Sequence, residues 1–334
     1  MSIIMTADIG GTNCRLGLFR LEESSLYLED VRWIATVDIP HTGAFLEAIE
    51  KTASRALTEI DIVVAAIAGP VTGNNWGQLS NGALELDFRK YSNQITGPSF
   101  WLINDFMAQA YAVMQPENSA HESLWAGEPP DPASVRGVIG AGTGLGYASV
   151  VPFSPFLGRT GRMNIWRALP SENGHVAFPF ASRDEYEFHA FLRRKLHIPH
   201  ATGDDVLSGR GLALLHLFLT GKNLTPPEVG AEAMGTETET LAWFSRFYGR
   251  ACRHWMLTTL CSGGLWIAGG IAAQNPLAVK NSAFYEELHG NPKWEKMLKS
   301  IPVFLINDKN SGLWGAAKFG QQILEEESAA SLYS

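Results

Sequence analysis

Short apolar runs alternate with stretches of helical periodicity along the first hundred residues. Apolar runs at 3–7 and 14–19 flank a glycine pair, which predicts two strands joined by a tight turn. A helical pattern at 45–57 precedes an apolar run at 60–67, which reads as a buried strand, and a further strand at 100–103 leads into a helix at 106–114. This alternation predicts an α/β sheet with parallel members.

The alternation of predicted strands and helices stops after residue 114 and resumes at residue 137. Residues 115–136 contain Pro116, Pro129, Pro130 and Pro132, which predicts a connecting segment. A strand at 137–139, a glycine turn at 140–146 and a strand at 147–151 then repeat the opening hairpin in kind. Helical patterns at 185–196, 210–219 and 240–260 follow, with strands at 265–268 and 303–306 before a final helix. The repeat predicts a duplicated architecture with its turns facing one cleft. We assign residues 1–114 and 308–334 to a small α/β lobe, and 115–307 to a large one.

Composition narrows the class of protein. The 334 residues carry a net charge of -8 without a cluster of basic residues, which argues against nucleic acid as a partner. Three cysteines without ligand spacing indicate neither a disulfide framework nor a cysteine-rich zinc site. The sequence contains neither an apolar run of spanning length nor a basic leader, so we expect a cytoplasmic protein without a membrane partner.

Several common nucleotide-binding and catalytic motifs are absent from the sequence. The 140–146 turn lacks the third glycine of a dinucleotide fingerprint and leads into a strand rather than a helix. A Walker A loop needs Ser or Thr after Gly-Lys, whereas Asn223 follows Gly221-Lys222. Neither H-E-x-x-H nor G-x-S-x-G occurs. Hydride transfer, P-loop, zincin and α/β-hydrolase chemistry are therefore disfavoured.

Three glycine turns each follow a predicted strand: Gly10-Gly11-Thr12, Gly142-Thr143-Gly144 and Gly269-Gly270. Glycine lets several backbone N–H groups approach and point at one anion, so this set suits the phosphates of a nucleotide. Asp8, just before the first turn, offers a carboxylate to a hydrated cation. The competing interpretation is that each turn is simply tight and binds nothing.

The motifs in their order along the chain resemble the bacterial glucokinase family, in its zinc-free, enteric-type branch. The residues that carry the resemblance are 8–16 (DIGGTNCRL), 102–106 (LINDF), 140–146 (GAGTGLG), 172–175 (ENGH), 206–209 (VLSG) and 267–271 (IAGGI). The resemblance implies a two-lobed actin-like ATPase (ribonuclease H-like) fold with duplicated mixed sheets around a central cleft. It also implies ATP and Mg²⁺, and a homodimer.

The resemblance assigns roles to individual residues. Asp105 would be the general base that accepts the proton of the attacking hydroxyl. The residues that would bind sugar are Asn81, Asn104, Asp105, Glu172, His175 and Asp204, with Asp205 as an alternative to Asp204. The residues that would bind the nucleotide are Asp8, Gly10, Gly11, Thr12, Asn13, Gly142, Thr143, Gly144, Gly269 and Gly270, with Asp8 reaching Mg²⁺ through water.

Simpler interpretations stand beside these roles. Spacing alone favours Asp105 as the N-cap of the following helix, and both roles are compatible. A Glu172–His175 pair, taken alone, is typical of an exposed polar surface. Residues 152–166 form an additional segment that we interpret as an exposed loop near the sugar-binding mouth.

The chain departs from the family pattern at three positions on the sugar side. Asn173 replaces the first of two glycines between Glu172 and His175, Asp204 stands where the family has Glu, and Leu84 stands where it has Trp. The resemblance leads us to expect ATP-dependent phosphorylation of glucose at its 6-hydroxyl. The three departures make another hexose the alternative acceptor. A non-catalytic sugar sensor on the same fold is disfavoured, because the chain begins directly with the phosphate hairpin and retains Asp105.

Overall fold

A computed structural model describes residues 1–91, 97–114, 120–130, 133–153 and 165–331. The chain divides into two compact units. Unit 1 comprises Met1–Ala120 and Asp308–Ser334, so the end of the chain returns to the unit in which it began. Unit 2 comprises His121–Asn307.

Unit 1 holds eight of the strands described here and three helices. The strands are β1 (Ser2–Ile9), β2 (Asn13–Glu22), β3 (Ser25–Ala35), β4 (Ile62–Ile67), β5 (Val71–Thr72), β6 (Trp76–Gln78), β7 (Glu85–Asp87) and β8 (Ser99–Asn104). The helices are α1 (Thr42–Ala53), α2 (Asp105–Ala112) and α11 (Ser311–Ser331).

Unit 2 is richer in helices. Its strands are β9 (His121–Trp125), β10 (Arg136–Ala141), β11 (Leu145–Phe153), β12 (Ile165–Ser171), β13 (Leu265–Ala268) and β14 (Val303–Ile306). Its helices are α3 (Arg183–Leu196), α4 (Gly203–Val206), α5 (Gly209–Thr220), α6 (Pro226–Ala233), α7 (Glu239–Thr259), α8 (Gly270–Gln274), α9 (Ser282–His289) and α10 (Glu295–Ser300), with a 3₁₀ turn at Asn173–His175.

The two large sheets have the same internal order, as the repeated hairpin predicts. In unit 1 the strands run β3-β2-β1-β4-β8, and in unit 2 they run β12-β11-β10-β13-β14-β9. In each sheet an antiparallel hairpin, β1–β2 or β10–β11, is followed by strands that pair in parallel. A separate three-stranded sheet, β5-β6-β7, inserts between β4 and β8. The prediction of a duplicated α/β fold with mixed sheets is confirmed.

Helices cover both faces of the unit 1 sheet. Met5 and Ile9 of β1 point to the face where Phe45 and Ile49 of α1 pack. Side chains alternate along a strand, so Ile4 faces the other way, towards α11. Every residue of β4 is buried, which is typical of a parallel strand covered on two faces. The sheet is therefore rigid, and its strand ends are a firm mount for polar residues.

The larger core of unit 2 is dominated by aromatic side chains. Helix α7 is buried along most of its length, and its residues Phe244, Phe247 and Tyr248 are inaccessible to solvent. Phe188 of α3 stacks on Phe247 with ring centroids 6.0 Å apart. This packing holds α7 against the sheet strands that carry the second glycine turn.

Two predictions about connecting segments were wrong in part. The 115–136 segment contains β9, which pairs with β14 at the sheet edge, nearly 180 residues away along the chain. The 152–166 segment begins and ends in paired strands, because Pro152 lies opposite Trp166 in the β11–β12 ladder. Its middle, 154–164, lies outside the described residues. Across the described ranges, no helix is both long enough and apolar enough to cross a bilayer.

Candidate active site

Three strand ends meet at one edge of the unit 1 sheet. Ile9, Ile67 and Asn104, the last residues of β1, β4 and β8, lie side by side in register. The chain leaves this edge through the glycine hairpin, through Ala68 and Gly69, and through Asp105. The carboxyl ends of parallel strands are where open α/β sheets carry their ligands. The sequence-predicted residues of unit 1 are therefore gathered at this edge.

The hairpin turn is anchored at its base and open at its tip. The Gly10 N–H donates to the Asn13 carbonyl at 3.0 Å. Thr36 ties the turn to the end of β3, donating from its Oγ1 to the Gly10 carbonyl at 2.8 Å and from its N–H to the Thr12 carbonyl at 2.9 Å. Among the described residues, the N–H groups of Gly11 and Thr12 meet no protein acceptor, and both residues are exposed.

Among the residues that the structure describes, none packs tightly against the glycine pair. A Cβ added at Gly10 or Gly11 would have its nearest contact at 3.5 Å, which is ordinary van der Waals distance. Neither residue has a positive φ. Packing therefore does not demand glycine here, and the vacant volume beside two unpartnered donors suits an anion.

Asp8 is held by a cation at the same edge. The Arg15 guanidinium, opposite Asp8 in the β1–β2 ladder, donates to its carboxylate and lies 5.1 Å from the centroid of the Trp33 ring. A Cβ at Gly312 would lie 2.5 Å from the Asp8 carboxylate, so a larger residue there would displace Asp8 from its present position. Burial raises the pKa of Asp8, and Arg15 offsets part of that rise.

Asn104 and Asp105 occupy different places from those that spacing suggests. The N-cap of α2 is Asn104, whose Oδ1 accepts from the Phe106 N–H at 2.9 Å, and Asp105 is the first residue of the helix. The capping interpretation of Asp105 was therefore wrong by one residue. The Asn104 Nδ2 also donates to the Gly69 carbonyl at 3.3 Å. Both side-chain ends of Asn104 thus fix the loop that presents Asp105.

Asn81 lies beside the hairpin, and Leu84 does not. The Asn81 carbonyl would be 3.5 Å from a Cβ on Gly11, and the Asn81 residue is exposed. The preceding Ser80 N–H donates to the Ala68 carbonyl at 3.0 Å, which ties this loop to the end of β4. Leu84 is buried in the unit 1 core, so its role is apolar packing.

The second glycine turn lies at the corresponding edge of the unit 2 sheet. The Gly142 N–H donates to the Gly144 carbonyl at 2.8 Å, and the Gly142 carbonyl accepts from the Gly209 N–H at 2.9 Å. A Cβ at Gly142 would meet nothing within 4 Å. Within the described ranges, the N–H groups of Thr143 and Gly144 have no protein acceptor. This turn therefore repeats the open cradle of the hairpin.

Gly269 lies next to this turn because it directly follows β13, the strand that pairs with β10. Gly140 and Ala268 are in register, and a Cβ at Gly269 would lie 2.5 Å from the Ala141 carbonyl. Gly269 also has φ +89°, which favours glycine. Gly270, next along the chain, begins α8. Backbone packing alone explains Gly269, whereas it does not explain Gly142.

A polar cluster lies beside the same turn. The Asp204 Oδ1 accepts from the Leu145 N–H at 2.6 Å, and the Asp204 Oδ2 lies 3.9 Å from the His175 Nδ1. The His175 Nε2 lies 3.4 Å from the Glu172 Oε2, across the 3₁₀ turn. The side chains of Glu172 and His175 are 75% and 64% exposed, so they are available to a ligand.

Asp205 is not available to a ligand in the same way. Its Oδ2 accepts from the N–H and hydroxyl of Thr202, and its Oδ1 accepts from Arg210 at 2.7 Å. The residue is buried and caps its own short helix, α4. The geometry therefore favours Asp204 over Asp205 as the acidic residue of the cluster.

Sequence reasoning did not identify four residues that hold the candidate site residues and glycine turns in place. Arg15 pairs with Asp8, Thr36 anchors the hairpin, and Gly312 makes room for Asp8. In unit 2, the buried Tyr248 hydroxyl accepts from the Ala141 N–H at 3.1 Å. A strand-to-strand register would have placed Arg15 opposite Asp8. The other three belong to segments distant in sequence, and their patterns show only ordinary strand or helix residues.

The site has neither a preformed metal cage nor a reactive thiol. Over the part of the chain that the structure describes, no three His, Cys, Asp or Glu side chains come together as metal ligands. Cys14, Cys252 and Cys261 are free and buried. Burial and the nearby Asp8 raise the pKa of Cys14 to about 12, so it is a neutral thiol at physiological pH.

Comparison with known proteins decides the family. The family model described as glucokinase matches residues 5–323. The chain belongs to the glucokinase family. Among curated relatives, the glucokinase of Nostoc punctiforme is 30% identical over 353 residues, covering 95% of this chain and 98% of that protein. The glucokinase of Pectobacterium atrosepticum is 30% identical over 334 residues, covering 96% and 98%.

Solved structures agree on the fold of this glucokinase-family chain. A glucokinase from an Antarctic psychrotroph superposes with a TM-score of 0.77 at 25% identity, covering 95% of this chain and 98% of that one. The Balamuthia mandrillaris glucokinase, solved with glucose, has a TM-score of 0.73 at 21% identity, covering 94% and 92%. A ROK-family glucokinase of Streptomyces griseus, solved with glucose and AMPPNP, has a TM-score of 0.56 at 17% identity, covering 95% and 99%. The fold is the actin-like ATPase fold of these sugar kinases.

Proposed function

We propose that the protein transfers the γ-phosphoryl group of ATP to the 6-hydroxyl of glucose. One observation of this chain carries the proposal: Asp105 leaves the same sheet edge as the open glycine hairpin. The end of β4 lies between the two, since the hairpin follows β1 and Asp105 follows β8. A phosphate cradle and a carboxylate at one sheet edge are the two parts that phosphoryl transfer to an alcohol requires. The glucokinases to which the chain is similar support glucose as the acceptor.

In this proposal the glycine turns bind phosphate. The unpartnered N–H groups of Gly11, Thr12, Thr143 and Gly144 would donate to phosphate oxygens, assisted by Gly10 and Asn13. Gly142 leaves the volume that the phosphates need, and Gly269 with Gly270 would lie against the nucleoside. Such preorganised donors stabilise charge on the transferring group without having to reorganise during the reaction.

Asp105 would act as general base. The sugar hydroxyl oxygen attacks the γ-phosphorus, the bond from that phosphorus to the bridging oxygen breaks, and ADP leaves. The hydroxyl proton passes to the Asp105 carboxylate. Asn104, whose amide caps α2, fixes the backbone from which Asp105 projects. It retains a second N–H through which it would bind a sugar hydroxyl.

The remaining sugar contacts would come from carboxylates, an imidazole and an amide. Glu172 and His175 are adjacent and exposed, so they suit neighbouring hydroxyls of one ring. One carboxylate oxygen of Asp204 accepts from the Leu145 N–H, and the other would accept from a sugar hydroxyl. Asn81 of unit 1 would contribute a further contact to the sugar.

The residues present fit a magnesium ion that arrives with ATP. Asp8 supplies one partly buried carboxylate, already paired with Arg15, which suits contact with the ion through water rather than direct ligation. When bound, Mg²⁺ would neutralise charge on the β- and γ-phosphates.

Another hexose is the second candidate acceptor. Asn173 and Asp204 depart from the family pattern beside the Glu172–His175 pair, and a shortened acidic side chain changes which hydroxyl it reaches. The resemblance also supports a homodimer, which light scattering would detect as a particle of twice the 36.5 kDa chain mass.

An acceptor panel tests the proposal. ADP release from ATP is measured with glucose, mannose, fructose, galactose, N-acetylglucosamine and no sugar. We expect glucose to give the highest kcat/KM and the sugar-free rate to be negligible. A different hexose at the top would replace glucose with the second candidate. Equal rates with and without sugar would contradict a sugar kinase.

A further inference from the structure

Asp204 lies between two turns of unit 2. A Cβ added at Gly144, in the second glycine turn, would lie 2.9 Å from the Asp204 Oδ2. A Cβ added at Gly174, in the turn that carries Glu172 and His175, would lie 2.8 Å from the Asp204 Oδ1. At such distances a side chain at either glycine would have to displace the carboxylate. The Asp204 carboxylate therefore fills the space between the glycine turn and the turn at 172–175.

One oxygen of Asp204 holds the end of the second glycine turn. Its Oδ1 accepts from the Leu145 N–H at 2.6 Å. The two N–H groups just before it, those of Thr143 and Gly144, meet no protein acceptor within the described residues. The protein thus supplies its own anion to the third of three consecutive N–H groups and leaves the first two open. A hydrogen bond to a carboxylate is about twice as strong as one between neutral groups, so it anchors the turn firmly.

The turn is anchored at its other end as well. The Gly142 carbonyl accepts from the Gly209 N–H at 2.9 Å. Close backbone contacts support the Leu145 end. A Cβ at Gly174 would lie 2.0 Å from the Leu145 carbonyl, and a Cβ at Gly203 would lie 2.9 Å from the Leu145 side chain. The two open N–H groups lie between these anchors, so their directions depend on both.

The contact of Asp204 with the Glu172–His175 pair is longer. The Asp204 Oδ2 lies 3.9 Å from the His175 Nδ1, which is beyond hydrogen-bond distance. The second oxygen is therefore open to a ligand, while the first is bound to the glycine turn. With Gly144 and Gly174 so close, the longer Glu that the family has at this position could not place its carboxylate at the same point.

We propose that Asp204 is a positioning residue for the nucleotide. By holding the Leu145 N–H, it preorganises the N–H groups of Thr143 and Gly144 for the phosphates of ATP. The inference rests on the proposed function, in which this turn binds phosphate, and it adds a nucleotide-side role to a residue otherwise assigned to the sugar. Donors that are held in place lose less conformational freedom on binding, so a loosened turn should bind ATP more weakly.

Two substitutions of Asp204 separate the two roles. Asp204→Ala removes both oxygens, whereas the side-chain carbonyl of Asp204→Asn still accepts from the Leu145 N–H. Isothermal titration with AMPPNP and Mg²⁺ in the absence of sugar measures nucleotide affinity independently of the acceptor. Sugar KM and the unfolding temperature are measured in parallel. Asp184→Ala is the matched control, because Asp184 is exposed and occupies the second position of α3, as Asp204 does in α4.

Asp204→Ala should raise the Kd of AMPPNP about tenfold, the loss expected for a charge-assisted hydrogen bond, and should raise the sugar KM too. Asp204→Asn should raise the sugar KM alone and keep the AMPPNP Kd within about twofold of the wild-type value, because the turn keeps its acceptor. Asp184→Ala should match the wild type in nucleotide affinity, sugar KM and unfolding temperature.

A wild-type AMPPNP Kd in Asp204→Ala would overturn the inference and leave Asp204 as a sugar ligand alone. An equal loss of AMPPNP affinity in Asp204→Asn would also overturn it, since that variant keeps the acceptor for Leu145. If Asp204→Ala does not fold, Asp204→Glu gives the same nucleotide readout, because its longer side chain displaces the carboxylate from the Leu145 N–H. A wild-type protein that binds AMPPNP but phosphorylates no sugar would instead refute the proposed function.

Discussion

Gly142 and Gly144 lie two residues apart in one turn, yet they are glycines for different physical reasons. A Cβ at Gly144 would lie 2.9 Å from the Asp204 carboxylate, so the protein itself occupies that space. A Cβ at Gly142 would meet nothing within 4 Å, and the residue has no positive φ. At the residue scale, neither packing nor backbone conformation explains why residue 142 is glycine. Open space for a bound phosphate would explain it.

Gly142→Ala should separate binding from stability. The free energy of unfolding should stay the same or rise by up to about 1 kcal/mol, because alanine fits the backbone. ATP KM should rise about tenfold or more, since the methyl group displaces a phosphate from a charge-assisted hydrogen bond worth about 1.5–3 kcal/mol. Gly235→Ala is the control, because its Cβ would also meet nothing within 4 Å. An unchanged ATP KM in Gly142→Ala would refute the phosphate role of this turn.

Asp105→Asn should remove turnover and keep binding. The amide has nearly the same shape but cannot accept the hydroxyl proton, so kcat should fall about 10²- to 10⁴-fold. Because Asn104 and not Asp105 caps α2, the substitution should leave the helix and the unfolding temperature almost unchanged. Isothermal titration should show ATP and sugar affinities within a few-fold of wild type. A kcat close to the wild-type value would remove Asp105 from the mechanism.

Helix α7 organises unit 2 at the element scale through one buried arginine. Arg250 donates to both carboxylate oxygens of Glu185 in α3, at 2.6 and 3.0 Å, and to Glu287 in α9 at 2.6 Å. Its Nε also donates to Glu287 at 3.3 Å, and its Nη1 also donates to the Pro179 carbonyl at 2.9 Å. The side chains of Arg250 and Glu185 are almost completely buried. Three helices thus share one charge network beneath the segment that leads from Glu172 into α3.

Arg250→Met should destabilise unit 2 strongly. Among the described residues, removal of the arginine leaves Glu185 paired only with Arg246, at 3.3 Å, and Glu287 paired only with Arg253, at 2.9 Å. Breaking a buried ion pair by removing one partner typically costs about 3–5 kcal/mol. Arg194→Met, at an exposed position in the last turn of α3, should change stability by less than about 0.5 kcal/mol. Urea unfolding followed by circular dichroism measures both. Equal effects of the two substitutions would mean that the network contributes no specific stability.

The same network predicts an acid limit to stability. Burial raises the pKa of Glu185 and of Glu287, but the hydrogen bonds and charges around them together outweigh it, so both pKa values lie below the ordinary 4.5. Arg250 acts on both carboxylates, the Ala181 N–H and Arg246 act on Glu185, and Arg253 acts on Glu287. A lowered folded-state pKa means that the stabilisation is complete above the unfolded pKa and is lost as the pH falls through the folded value. The unfolding temperature should therefore fall with decreasing pH below about 4.5. Glu185→Gln should flatten that decline.

The strands that sequence reasoning missed, among them β9 and β12, are not continuous apolar runs. Strands β1, β4, β10 and β13 are apolar runs, so their own residues predict them. β9 has the burial pattern of a loop and forms a strand only because β14 pairs with it. β12 carries Pro170 and forms at the free edge of the sheet, against β11. Such tertiary pairing leaves no periodicity in the local sequence.

The same distinction holds for the candidate site. The glycine turns, Asn104 and Asp105 follow strands directly, so their clustering at strand ends could be predicted from the sequence. The Tyr248 hydroxyl accepts from the Ala141 N–H across 107 residues of chain, and the Thr36 hydroxyl donates to the Gly10 carbonyl across 26. These contacts depend on packing between elements, which the pattern of polar and apolar positions does not encode.

At the scale of the whole molecule, two sheets of the same internal order each present an open glycine turn at a strand edge. Unit 1 adds the proposed base, and unit 2 adds the exposed Glu172–His175 pair. The last helix, α11, belongs to unit 1, like the first strands of the chain. The duplication gives one cradle to each unit, and the proposed function follows from what each unit adds to its cradle.

The central claim is that the γ-phosphoryl group moves from ATP to the 6-hydroxyl of glucose. Phosphorus-31 NMR of a reaction with ATP, Mg²⁺ and glucose tests it most directly, with 6-deoxyglucose as the matched acceptor that lacks the hydroxyl. We predict that the γ-phosphate resonance is replaced by that of a glucose 6-phosphate monoester, and that 6-deoxyglucose leaves ATP intact. Inorganic phosphate as the only product, or equal ATP consumption with 6-deoxyglucose, would contradict the account.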